Sequence, residues 1–285
     1  MPLVSLTSGT AGRAPASSLW PQRQKQVMAL GLLIVAPTGA WAHNPFHGSI
    51  EERVAGSVNL ALLMIFWILY LRGMEQRAPA RRHALGFHLV LVLCVITILG
   101  PLDTMAQTST AAHMTQHMLL MGVIAPLWTL CRPLPQLIAG GGRAVWPALK
   151  PTLRIAQRPM LAAIIHAIAI WFWHLPFFYM LAVDNPGWHT IEHLCFLGTA
   201  GLFWWAVLRS NSGNLPSAML ALLLTLAHTG FLGAILTFSQ APLYGESRHI
   251  ADQQLAGLIM WVPGGLPYLG AMAWLTARWY RNIAA

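Results

Sequence analysis

Seven stretches of the chain are nearly unbroken runs of apolar residues: 54–71, 84–101, 112–131, 159–177, 189–208, 216–238 and 252–276. Each is close to the ~20 residues that a helix needs to cross a bilayer. Polar, turn-forming stretches separate them, such as Arg132-Pro133-Leu134-Pro135 and Asn211-Ser212-Gly213-Asn214. A helix satisfies its own backbone donors and acceptors, as the hydrocarbon core demands. The pattern predicts an all-α fold, a polytopic bundle of seven transmembrane helices over 54–278. A short segment at 43–53 precedes it and a tail at 279–285 follows. Pro126 is expected to kink the third span, and Trp261-Val262-Pro263-Gly264-Gly265-Leu266-Pro267 to break the seventh.

A shorter apolar run, Val27 to Ala36, lies nearer the start. Arg13, Arg23 and Lys25 precede it, and Ala40-Trp41-Ala42 follows. A basic region, a short apolar run and an A-x-A site make a cleavable secretory signal peptide over 1–42. An uncleaved anchor is the alternative. Cleavage would leave His43 at the new N-terminus, where its amine and ring, with His47, suit Cu(II).

Composition agrees with a membrane protein. Of 285 residues 56% are hydrophobic and 9% charged, with a mean hydropathy of +0.56, against about 25% charged in soluble domains. The net charge of +9 has a topological cause. The loops after the first, third, fifth and seventh spans hold twelve lysines and arginines, and the opposite loops hold only Arg53 and Arg248. The positive-inside rule places the twelve in the cytoplasm. The mature N-terminus is then periplasmic and the C-terminus cytoplasmic, in a bacterial inner membrane, and the basic residues need no nucleic acid to explain them. Cys94, Cys131 and Cys195 form no CxxC and suggest no disulfide framework.

This orientation gives every polar residue a depth. His113 and His117 open the third span, His189 and His193 the fifth, Asp252 the seventh, and His174 closes the fourth. Eight of the twelve histidines fall at or beyond the outer boundary, His43, His47 and His249 among them. Both pairs are spaced i,i+4, so each shares one helix face. Interfacial histidines often only bind water or lipid, but two such pairs at matching depth with His174 point to one outward-opening site. The expected metal ligands are His113, His117, His174, His189 and His193, with Met114 and Met118 as auxiliary ligands. Glu192 and Asp252 read either as partners fixing imidazole tautomers or as acids at helix starts. Imidazole suits copper, zinc, iron and nickel, and thioether points first to Cu(I). His189-Thr190-Ile191-Glu192-His193 also matches the H-x-x-E-H pattern of a zinc peptidase group. His166 and His228, near mid-membrane, read as an interhelical pair, a proton path or haem ligands.

The motifs Pro101-Leu102-Asp103, His113-Met114-Thr115-Gln116-His117-Met118, Trp173-His174-Leu175-Pro176, His189-Thr190-Ile191-Glu192-His193 and Asp252-Gln253-Gln254-Leu255-Ala256-Gly257 with Trp261 occur in that order. With them the chain, from about Gly56 to Trp274, resembles the CtaG family of membrane-integral cytochrome c oxidase assembly factors. Ala125-Pro126-Leu127 departs from a double-proline version in many relatives. The cysteine copper motif of the unrelated single-span chaperones that share the name is absent. The resemblance implies a non-enzymatic role in maturing a haem–copper oxidase, at its copper B centre. The oxidase catalytic subunit, a periplasmic copper chaperone and membrane lipid are then the expected partners. Three other readings stay open: an intramembrane zinc hydrolase with Glu192 as base, a haem-binding membrane protein, and a copper transporter.

Overall fold

The computed structural model describes residues 48–142, 145–245 and 248–284, without the side chains of 145, 146, 148, 149 and 284. The expected signal peptide, His43 and His47 lie outside the described residues. The rest is a helical bundle with no strand among the described residues.

Helix α1 (Ile50–Gln76) starts at a capping box: Ser49 Oγ accepts from Glu52 N–H, and Glu52 Oε2 accepts from Ser49 N–H. Helices α2 (Arg81–Leu99) and α3 (Pro101–Thr108) follow across Gly100. The third apolar run is α4 (Thr110–Met118), a π-turn (Leu119–Ile124) and α5 (Ala125–Cys131). Next come the short helices α6 (Leu134–Gly141) and α7 (Val145–Ile155), in a region that reads as turn-rich in the sequence. Helices α8 (Pro159–Trp173) and α9 (Pro176–Asp184) share the fourth run. Helices α10 (Pro186–Leu208) and α11 (Leu215–Phe238) are the fifth and sixth. The seventh is α12 (Ile250–Trp261), a 3-10 turn (Pro263–Gly265) and α13 (Leu266–Ala284).

Six helices are long and apolar enough to cross a membrane, and seven if the bent pair α8–α9 is one crossing. Large apolar side chains cover the outside, among them Val58, Ile65, Phe66, Ile168, Phe231 and Leu269. Such a surface would aggregate in water and is the natural one against lipid.

Two breaks have clear causes. Pro176 lacks an N–H and pushes Leu175 out of the helical region, to ψ 133°. The chain turns by 73° there, so the fourth run is not the straight span over 159–177 that its hydropathy suggests. The kink expected at Pro126 takes the form of the π-turn. In an i→i−5 ladder Pro126 would have to donate to the Met121 carbonyl, and it cannot. Trp204 Nε1 from α10 donates to that oxygen instead, at 2.7 Å. The break expected before Leu266 is also present.

Small residues let neighbouring helices approach closely. A Cβ on Gly257 of α12 would fall 2.5 Å from the Gly233 carbonyl of α11, and one on Gly73 of α1 would fall 1.8 Å from the Gln136 carbonyl.

Candidate metal centre

Helix α4 begins in a set of hydrogen bonds that fixes the rotation of its histidine face. Ser109 Oγ accepts from Ala112 N–H and donates to Asp252 Oδ1 on α12. Asp252 Oδ2 accepts from the Thr110 and Ala111 N–H groups. Asp252 thus acts at a helix start, that of its neighbour rather than its own. An acid there satisfies donors that every helix N-terminus leaves free.

On this helix His113 and His117 lie one turn apart, edge to face, with ring centroids 4.3 Å apart. Helix α10 starts on an Asn185 cap, whose Oδ1 accepts from Gly187 and Trp188 N–H, and brings His189, Glu192 and His193 against them. The ring of His189 lies 5.0 Å from His113, and that of His193 lies 5.7 Å from His117. The i,i+4 pairs therefore face each other across two helices.

At the centre is Glu192, with no exposed surface. Its Oε2 lies 3.3 Å from His113 Nε2, 3.4 Å from His117 Nε2 and 4.0 Å from His189 Nε2. None of these nitrogens, nor either Glu192 oxygen, has a hydrogen-bond partner. Burying a carboxylate without donors is costly. Two ligands held about 2.0–2.1 Å from one tetrahedral ion are about 3.3–3.4 Å apart. The two shorter separations match that edge. His113, His117, His189 and Glu192 form a group that could hold a metal ion, with ligand atoms all within 4.8 Å of one another. Neutral imidazoles and one carboxylate suit zinc, copper, iron or nickel.

A second group of the same kind joins Asp103, His189 and His193. Asp103, in the first turn of α3, is held by Gln116 Nε2 at 2.8 Å, and the same nitrogen donates to the Thr97 carbonyl. Neither residue stands out as a ligand in the sequence. Asp103 enters the sequence reading only as the last residue of the Pro101-Leu102-Asp103 motif. Gln116 is a polar residue three positions from His113, and that shared face was its available signal.

The other expected residues are placed as follows. His174 caps the end of α8; its Nδ1 donates to the Ile170 carbonyl at 2.7 Å, leaving Nε2 without a partner. Its ring lies 6.3 Å from that of His117, beside the four-residue group rather than in it. Tyr244 O–H reaches the His174 carbonyl, and Tyr244 stacks on Tyr179 at 3.7 Å. Burial, with Tyr179 and Glu192 nearby, pushes the Tyr244 phenol above its ordinary value, so it stays neutral. Met114 is buried in the apolar core. The Met118 sulfur lies where Gly264 lacks a side chain, so that thioether packs on the seventh-run break. Glu192 itself stands at ligand distance among the rings. A zinc hydrolase would need it free beyond the ligands as a base.

The family model described as cytochrome c oxidase caa3 assembly factor (Caa3_CtaG) matches residues 61–282. No curated protein and no solved structure matches the chain.

Proposed function

The chain belongs to the Caa3_CtaG family of cytochrome c oxidase assembly factors, and from that premise we propose that it carries copper for insertion into a haem–copper oxidase. Copper is cargo in this reading, not a resident cofactor, and the chain performs no chemistry of its own on a substrate. The carrying observation is the convergence of His113, His117, His189 and Glu192 at one end of the bundle, buried and without hydrogen-bond partners. Nitrogen-rich sites rank Cu(II) above the other divalent first-row ions, and imidazole also takes Cu(I). His193 and His174 extend the donor set at its edge. A carrier must release its ion, and a site on the ends of several helices can open without unfolding the bundle.

The side of the membrane follows from charge. The end of the bundle opposite the cluster holds eleven of the twelve basic residues counted above, the twelfth, Arg143, lying outside the described residues, which favours a periplasmic cluster and a cytoplasmic C-terminus in a bacterial inner membrane. The oxidase catalytic subunit would then receive the ion from the periplasmic side, with a periplasmic copper chaperone as a fitting donor.

The test is the metal content of the protein purified from its own membranes, compared with His113→Ala/His117→Ala. About one copper per chain, absent from the variant, together with loss of oxidase activity in cells carrying the variant, is the expected result. A wild-type chain that takes up no copper even after anaerobic Cu(I) loading would refute copper carriage and leave assembly by contact alone.

A further inference from the structure

Resting on the copper reading above, we propose that the ion meets this protein at two successive stations, an outer one of Asp103, His189 and His193 and an inner one of His113, His117 and Glu192, with His189 handing it from one to the other. The two groups share only His189. Its two ring nitrogens face different carboxylates: Nδ1 lies 3.6 Å from Asp103 Oδ1, and Nε2 lies 4.0 Å from Glu192 Oε2.

The groups differ in access to solvent. The difference lies at the outer group's rim: the Asp103 and His189 side chains are 31% and 12% exposed, while His193 behind them is buried, as are His113, His117 and Glu192 at 1%, 0% and 0%. An ion arriving from outside therefore meets Asp103 first. A partly exposed carboxylate suits that role, because it attracts a hydrated cation while water can still carry away the ion's former ligands. Gln116 holds this carboxylate in place with one amide nitrogen, and tethers it to α2 through Thr97.

A neutral imidazole has one lone pair and one N–H, so His189 serves one station at a time. At the outer station Nδ1 binds the ion and Nε2 keeps the proton. At the inner station Nε2 binds and Nδ1 carries the proton, which faces Asp103. The Nε2 proton is relayed back toward water by Glu192, the carboxylate it faces, and Nδ1, on the side of the partly exposed Asp103, takes one from water, so the ring's charge is unchanged by the transfer. The copper keeps its oxidation state throughout. The inner group reaches four ligands only with His189, and the outer group reaches three only with it, so the two are never complete together and capacity is one ion per chain.

The full-length protein in detergent, kept anaerobic, is mixed with the Cu(I)–bicinchoninate complex, and the fading of the chelate colour gives both rate and stoichiometry. Asp103→Asn is expected to end with the same single ion per chain but to load about tenfold or more slowly, as expected for removing a steering charge from the ion's path. Its unchanged end-point shows that the variant is folded, and Asp103→Glu is expected to recover most of the rate. Glu192→Gln is expected to load quickly and then lose the ion readily to excess chelator. Loading of Asp103→Asn at the wild-type rate, or two ions per wild-type chain, would overturn the two stations while leaving copper carriage standing. A wild-type chain that takes no Cu(I) would overturn both.

Discussion

The bundle buries histidines in two places, and they are built differently. At one end, His113, His117, His189 and His193 crowd around Glu192, and their Nε2 atoms have no hydrogen-bond partner. Halfway along α8, His166 also leaves its Nε2 without a partner, but its other nitrogen meets a hydroxyl: Nδ1 lies 2.9 Å from Thr199 Oγ1. That hydroxyl spends its own proton on the Cys195 carbonyl at 2.8 Å. It must therefore accept from the ring, which sets the His166 tautomer with Nδ1–H. His166 also lies over Phe203, at a centroid distance of 5.7 Å. The interhelical hydrogen bond expected between His166 and His228 of α11 is not formed: both His228 ring nitrogens lack a partner, and no group of three ligand-type side chains forms there among the described residues. Burial alone thus does not distinguish a ligand from a structural histidine. The difference is a buried carboxylate that lacks donors of its own, with several rings directed at it.

The comparison can be broken most directly by deleting each pair. His113→Ala/His117→Ala should lose essentially all bound copper and oxidase activity, whereas His166→Phe/His228→Phe should keep its copper. Metal analysis of both proteins checks this, and copper loss from the second would erase the distinction. Next in size is Glu192→Gln. It should lower copper affinity by roughly 10–100-fold while raising the melting temperature of the metal-free protein, because a buried charge without donors is replaced by a neutral amide. Competition against a copper chelator and a thermal melt measure the two effects, and their opposite signs are what a binding role requires.

Smaller effects concern the supports of each region. Asp252→Ala removes the acid that caps α4 and should cost about 1–2 kcal/mol of stability, with weaker copper binding because the His113 and His117 face is no longer held. Thr199→Val should cost about 1 kcal/mol and leave copper binding unchanged, since it touches only the mid-helix histidine. Thermal unfolding with copper titration on both variants sharpens the contrast. A copper defect in Thr199→Val would join the two regions into one functional path.

The apolar runs already marked the crossings. Helices α1, α10 and α11 enclose the predicted stretches 54–71, 189–208 and 216–238, because long uncharged runs in hydrocarbon have few alternatives to a helix. The i,i+4 spacing likewise marked His113 with His117 and His189 with His193, since neighbours on one helix follow from its pitch. The 73° bend is less legible: Pro176 signals a break, but its angle depends on how α9 packs on α10 and α3. The short helices α6 and α7 are hidden by the turn signals of Arg132-Pro133-Leu134-Pro135, although α6 is seated against α1 where Gly73 and Gly140 leave room.

The sequence by itself therefore determined the helical class, the crossings and which rings share a face, because these depend on local pitch and on transfer of side chains to lipid. Only the tertiary structure decided that the α4 and α10 faces meet and that Glu192 lies between them. It also brought Asp103 within reach of His189 from another helix, and passed the Met121 carbonyl from Pro126 to Trp204. Those contacts join residues far apart in the chain, and helix rotation and close approach set their distances. No local pattern of polar and apolar residues encodes either.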